Sequence, residues 1–121
     1  MANKTTEQLI QDRGLTAPRV TPDDLKANIS SIHYFTAREG CEGECGGNGG
    51  PYPIELGLLT ICVLVLRNGF TVTGESACAS PENFDAEIGR KIARQNADQK
   101  IWPLMGYHLK QKLSESGNES S

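Results

Sequence analysis

The chain has 121 residues, 12 Lys and Arg against 15 Asp and Glu, and a net charge of −3. That length suits one domain, and an acidic balance without a basic block argues against duplex nucleic acid as the main partner, because phosphate-dominated binding needs a cationic footprint. No apolar run approaches the roughly 20 residues that cross a bilayer, and the N-terminus has no charged-then-apolar leader pattern, so the expected location is cytoplasmic.

Residues 1–20 show little apolar periodicity beyond Leu9 and Ile10 and are expected as a flexible segment ahead of a single domain over 21–113. Thr21 then opens a helix, with Pro22 at its first position and Asp24 three residues past the cap. Leu25, Ile29 and Ile32 recur at helical spacing and predict one apolar stripe, after which Tyr34 and Phe35 lead into an extended segment. Residues 37–57 form a Gly- and Cys-rich insertion, expected as a long loop. Cys41 and Cys45 within it have C-x3-C spacing, but zinc usually needs a second close pair. Only His33 lies near, so no metal is expected and the thiols read as reduced.

"LLTICVLVLRNGFTVTGESAC" is a hairpin signal around Asn68-Gly69. With a two-residue loop, Arg67 faces Phe70 and Cys62 opposes Glu75, which turns Cys62 and Cys78 to opposite faces. Leu59, Ile61, Val63 and Val65 then share a face with Val72, Gly74 and Ser76, while Cys62, Leu64 and Leu66 share the other with Thr71, Thr73 and Glu75. The first strand is apolar on both faces, so cover on both is expected. Ser80-Pro81 ends the hairpin, and Ser80 or Asn83 caps a helix from about Phe84 to Trp102. Pro103 ends or kinks it, "LMGYHLKQKL" reads as a short final helix, and 114–121 as a disordered polar tail.

In the long helix Ile88, Ile92 and Ile101 are the expected greasy contacts. Ala86, Gly89, Ala93 and Ala97 make an adjacent small-residue stripe, which implies close backbone approach to a partner subunit or a ligand. Gly89 costs up to roughly 1 kcal/mol relative to Ala in a helix, so something should offset it. Together the elements predict an α+β fold: an antiparallel sheet built on the central hairpin, packed against an N-terminal helix and a long C-terminal helix.

No catalytic set assembles: there is no nucleophile elbow, Walker loop, His-Glu-x-x-His or paired-carboxylate frame, so the chain reads as a non-enzyme with no cofactor. What remains suits a small anionic ligand. Asn83 and Phe84 stand at a helix N-terminus, where N–H groups favour an anion and a ring can stack on a base. Arg90 and Arg94, with Lys91 close by, can clamp phosphates. Glu75 with Ser76 can contact ribose, and Arg67 at the hairpin completes the set. Set against these roles, Phe84 can simply lid the first helical turn, and the arginines can be a solvated face balanced by Glu87 and Asp98.

Several motifs together resemble a family of short phage and prophage proteins typified by early-named products of phages N4 and Sf6. They are Cys62, Leu64, Leu66 and Asn68-Gly69-Phe70, then Gly74 to Cys78, then Asn83 to Asp85 with Glu87, Gly89 and Lys91 to Ala93. Lys100 to Trp102, Leu104, Gly106 and Tyr107 complete the pattern, and the "TPDDLKANISSIHYF" stretch fits it as well. The likeness covers roughly residues 20–110. The chain is also similar to the first type of Thoeris anti-defence protein, a nucleotide sponge. That similarity implies capture, without cleavage, of a cyclic ADP-ribose isomer and of cyclic oligonucleotides in some members. It also implies a homo-oligomer of two or six chains with sites where protomers meet. The 37–57 insertion departs from the pattern, where the link into the hairpin is shorter. A direct inhibitor of a host protein, contacting it through that insertion, is the alternative reading.

Overall fold

A computed structural model describes residues 5–14 and 17–119. The element order is α1 (Thr6–Asp12), α2 (Pro22–Ala27), β1 (Ile29–Thr36), α3 (Ala37–Glu44), a 3-10 turn (Ile54–Leu58), β2 (Leu59–Leu66), β3 (Thr71–Ala77), a second 3-10 turn (Pro81–Asn83) and α4 (Ala86–Glu119). The three strands form one antiparallel sheet in the order β1-β2-β3, and the fold is α+β as expected.

Three of the helices start in the same way. Thr5, Thr21 and Thr36 each accept a hydrogen bond from the backbone N–H three residues on, and Gln8, Asp24 and Glu39 return a bond to the cap. These capping boxes satisfy N–H groups that a helix start leaves without partners. The Thr21 box is the one foreseen. The Thr36 box makes a helix out of the first third of an insertion read as loop, and the Thr5 box puts α1 inside the segment read as flexible.

The helix opened by Thr21 stops at Ala27, so the stripe Leu25, Ile29, Ile32 does not exist as a helical face. Leu25 is buried, whereas Ile29 and Ile32 belong to β1, where Ile32 pairs with Leu64 of β2. A run of β-branched and aromatic residues beside an apolar strand gains more from ladder pairing than from two further helical turns.

The hairpin forms where expected but in a different register. Cys62 lies opposite Gly74, Leu64 opposite Val72 and Val65 opposite Thr71, so paired numbers sum to 136 rather than 137. Leu66 N–H donates to Phe70 O (2.8 Å) and Gly69 N–H to Leu66 O (2.9 Å), enclosing a three-residue loop, Arg67 to Gly69. Gly69 has φ +90°, the left-handed residue that a three-residue hairpin loop needs. The extra loop residue turns β3 over relative to β2. The core face therefore joins Thr60, Cys62, Leu64 and Leu66 to Val72 and Gly74. Cys62 and Cys78 share a side rather than opposing each other, yet both remain free thiols, with Cys78 bonded beyond the strand to Ser80 O.

α4 lies across this face through Gly89, Ala93, Ala97 and Ile101, all buried. A Cβ on Gly74 would overlap the Ala93 carbonyl oxygen and the Ala97 amide nitrogen. From Gly89 to Ala97 the small-residue stripe thus serves close approach of the helix to its own sheet, not to a partner or ligand, while Ala86, expected in the same stripe, is exposed. Ile88 and Ile92, expected as greasy contacts, are exposed at 57% and 41%, while Ile101 is fully buried. Seated this low on the sheet, the helix turns its neighbouring isoleucine side outward. Asp85 rather than Asn83 or Ser80 caps it, accepting from Glu87 N–H (2.9 Å) and Ile88 N–H (3.2 Å). The helix also runs through Pro103 without ending, and the polar segment from 114 continues it, exposed as far as Gly117.

The sheet's other face carries Ile61, Val63 and Val65, all half-buried. α3 meets that face at Phe35, whose ring would lie 3.4 Å from a Cβ on Gly40. The cover expected on both faces of β2 is therefore a long helix on one side and a short helix at one end of the other.

Candidate functional site

Because α4 runs antiparallel to β3 and continues past Pro103, its second half returns to the hairpin turn. There it closes a cavity of about 690 Å³ with the end of α2 and the lead into it. Leu66, Phe70, Leu104 and Met105 supply its apolar wall. Three formal cations, Arg19, Arg67 and Lys112, face one carboxylate, Asp24, a surplus of two positive charges, and His108 adds an imidazole ring. The whole chain carries −3, so positive charge is gathered here against the general balance.

Each wall residue is placed by a local feature. The hairpin loop projects Arg67, whose backbone N–H donates to Asn28 O (2.9 Å) and whose Nε donates to Ala27 O (2.9 Å). The bond from Nε pins the side chain to the end of α2, and among the described residues no carboxylate pairs with its terminal nitrogens. Asp24 is already committed, its Oδ2 accepting from Thr21 N–H at 3.0 Å. Phe70 follows the loop with 55% of its surface exposed, a ring face open at the cavity. His108 and Lys112 are four residues apart on α4 and so share a side of it. Arg19 is held by Glu7 through two bonds, Nη1 to Oε2 at 2.8 Å and Nη2 to Oε1 at 2.6 Å. That pairing, with bonding to Gln11 assisting, lowers the Glu7 carboxyl below its ordinary pKa, and burial opposes the shift only in part.

Of the candidate ligand contacts proposed from sequence, only Arg67 lines this cavity. Arg90 and Arg94 do come together, on the flank of α4 that looks towards β1. The Arg90 guanidinium lies 5.9 Å from the centre of the Tyr34 ring, and Arg94 Nε donates to Asp98 Oδ1 at 2.9 Å. Lys91 is exposed on the outer side of the helix, apart from them. Glu75 lies on the opposite flank: its carbonyl accepts from Asn96 Nδ2 (2.8 Å), its carboxylate from Thr73 Oγ1 (3.1 Å), and Lys100 stands 4.0 Å away. Ser76 is half-buried opposite Thr60. Asn83 is exposed, and the Phe84 ring folds back to within 3.9 Å of a Cβ built on Gly89, the arrangement of a lid on the first turn. At that helix start the Asp85 carboxylate already occupies the place an anionic ligand would take.

Sequence reasoning gave no ligand role to Arg19, Phe70, His108 or Lys112, which line the cavity. Their signal is joint: ending the helix at Pro103 hides that the chain beyond it comes back beside Asn68-Gly69-Phe70.

The insertion offers a second, smaller hollow of about 430 Å³ between α3 and the 47–52 segment. Tyr52 Oη donates to Cys41 O at 3.4 Å, and its hydroxyl is pushed up to about 12, first by its hydrogen bond with Cys45 and then by burial. Among the described residues no three His, Cys, Asp or Glu side chains converge as metal ligands, and no helix is long and apolar enough to cross a membrane.

Comparison with curated proteins and with solved structures finds no match. Over residues 20–113, which hold the sheet, α2, the hairpin and all but the end of α4, the chain matches the phage protein (N4 Gp49/phage Sf6 gene 66) family, and it belongs to that family.

Proposed function

We propose that this phage protein captures a cyclic nucleotide immune signal, a cyclic ADP-ribose isomer foremost and cyclic oligonucleotides of similar charge besides. It holds the signal intact in the cavity between the hairpin turn and the second half of α4. The observation that carries the reading is the gathering of Arg67, Lys112 and Arg19 around an exposed Phe70 ring in an otherwise acidic chain. A nucleotide needs both parts at once: cations for phosphate and a ring face for the base. A volume of about 690 Å³ lies within the range of small-molecule sites. Action is by stoichiometric binding in the host cytoplasm rather than by turnover, and the chain works as a homo-oligomer. The similarity of its motifs to the Thoeris anti-defence sponge supports the choice of ligand class.

The test is to incubate the purified protein with lysate from cells in which a TIR immune enzyme has been triggered, wash it, denature it and analyse the released molecules by mass spectrometry. An intact cyclic ADP-ribose isomer in near-stoichiometric amount is expected. Arg67→Glu and Lys112→Glu should each weaken binding at least about tenfold, since a hydrogen bond to a charged group contributes roughly 1.5–3 kcal/mol. Arg90→Glu, on the other flank, should change it little. The opposite pattern moves the site to the Arg90–Tyr34 flank. Release of nothing, with a host protein co-eluting in fixed ratio, replaces capture by direct inhibition.

A further inference from the structure

Glu7 and Arg19 form the closest ion pair described in the chain, bidentate, with both side chains about a quarter to a third exposed. Arg19 belongs to the cavity wall, whereas Glu7 belongs to α1, a seven-residue helix that buries none of its residues. A helix so short and so little buried has small stability of its own, and the Glu7 carboxylate is one attachment of α1 to the body. Carboxylate and phosphate oxygens engage a guanidinium with the same fork geometry. We infer that Arg19 is an anion subsite of the cavity, held at rest by the chain's own Glu7 carboxylate, and that a phosphate-bearing ligand displaces Glu7 and releases α1.

The inference rests on the cavity being the ligand site. With Glu7 in place, the surplus of two positive charges on the wall falls to one, and displacement restores it. Asp24 lies close enough to act on Arg19 but is held by its capping bond to Thr21, so it does not take over when Glu7 leaves. Tethering gives Glu7 an effective concentration in the millimolar range. A lone carboxylate at ordinary concentration loses that competition. A ligand with several phosphate oxygens, anchored as well at Arg67 and Lys112, wins it. The subsite therefore selects pyrophosphate-type ligands over simple organic acids.

Titration calorimetry with inorganic pyrophosphate and with cyclic ADP-ribose tests this, using the full chain, Glu7→Gln, Arg19→Gln and, as a control, Glu42→Gln at the exposed Arg38–Glu42 pair. Hydrogen exchange of residues 6–12 is read in parallel. Glu7→Gln should bind both probes about two- to fivefold more tightly, the range of a surface ion pair. Arg19→Gln should bind them more weakly, and Glu42→Gln should match the parent. In the parent, bound probe should speed exchange in residues 6–12. Equal affinity of parent and Glu7→Gln, with exchange of 6–12 unmoved by a bound probe, overturns the subsite and leaves the cavity reading standing. If neither probe binds any of the four chains, the cavity reading falls and the subsite with it.

Discussion

At Gly74 two backbones meet without a side chain between them, and the helix stripe Gly89, Ala93, Ala97 continues that contact along the sheet. An added methyl at Gly74 meets main chain, which cannot rotate away, so Gly74→Ala is expected to cost about 1–3 kcal/mol in urea unfolding. Gly106 is the natural comparison: it lies inside the same helix with nothing within 4 Å of an added Cβ. There Ala should gain up to about 1 kcal/mol through helix propensity alone. Similar losses at both sites would mean that α4 does not rest on β3 as described. This contact also explains what sequence reading got right and wrong about the stripe. Small residues at helical spacing do announce close approach, but the partner is the chain's own β3, which only the hairpin register brings into line.

Helix starts were the most legible elements, because a capping box is local chemistry. Thr21 to Asp24 spells it out, and Thr36 to Glu39 spells it equally, but there the surrounding glycines suggested loop. Helix ends were less legible. Proline inside a helix loses one hydrogen bond and clashes with the preceding turn, which makes Pro103 look terminal. The contacts of Ile101 and Met105 with the core on either side hold the helix through it. The cavity depends on that continuation, which is why most of its lining could not be read from the sequence. The Glu7–Arg19 contact that ties α1 to the body is electrostatic and so should depend on pH. Arg19 depresses the Glu7 carboxyl, so the contact contributes fully above the ordinary glutamate value and is lost as pH falls through the depressed one. An NMR titration of the Glu7 carboxyl carbon should have its midpoint below about 4.3, the unperturbed value, and Arg19→Gln should return it there. An unshifted midpoint in the parent would mean the pair does not persist in solution.

For the molecule as a whole, the two faces of the sheet are unequal. One is closed by α4, while Ile61, Val63 and Val65 on the other stay half-buried, met by α3 near Phe35. A domain of this size has limited surface to bury by itself, and association through an apolar sheet face adds to it. Sedimentation velocity is expected to give the mass of two or six chains, with Val63→Glu shifting it towards one. A single-chain mass for the parent would remove the homo-oligomer from the proposal and leave the cavity, built within one protomer, unaffected.

The three-residue turn between β2 and β3 also constrains heredity. Strand faces alternate, so the turn's length matters by its parity: losing or gaining one residue between Leu66 and Phe70 would put Thr71 and Thr73 under α4 in place of Val72 and Gly74. Two residues could be added at little cost. The 37–57 insertion, which enters by a helix and leaves by a 3-10 turn, carries no such restriction and is free to lengthen or shorten. Lineages carrying this fold should therefore drift in length at the insertion one residue at a time, while the hairpin turn admits change only in pairs.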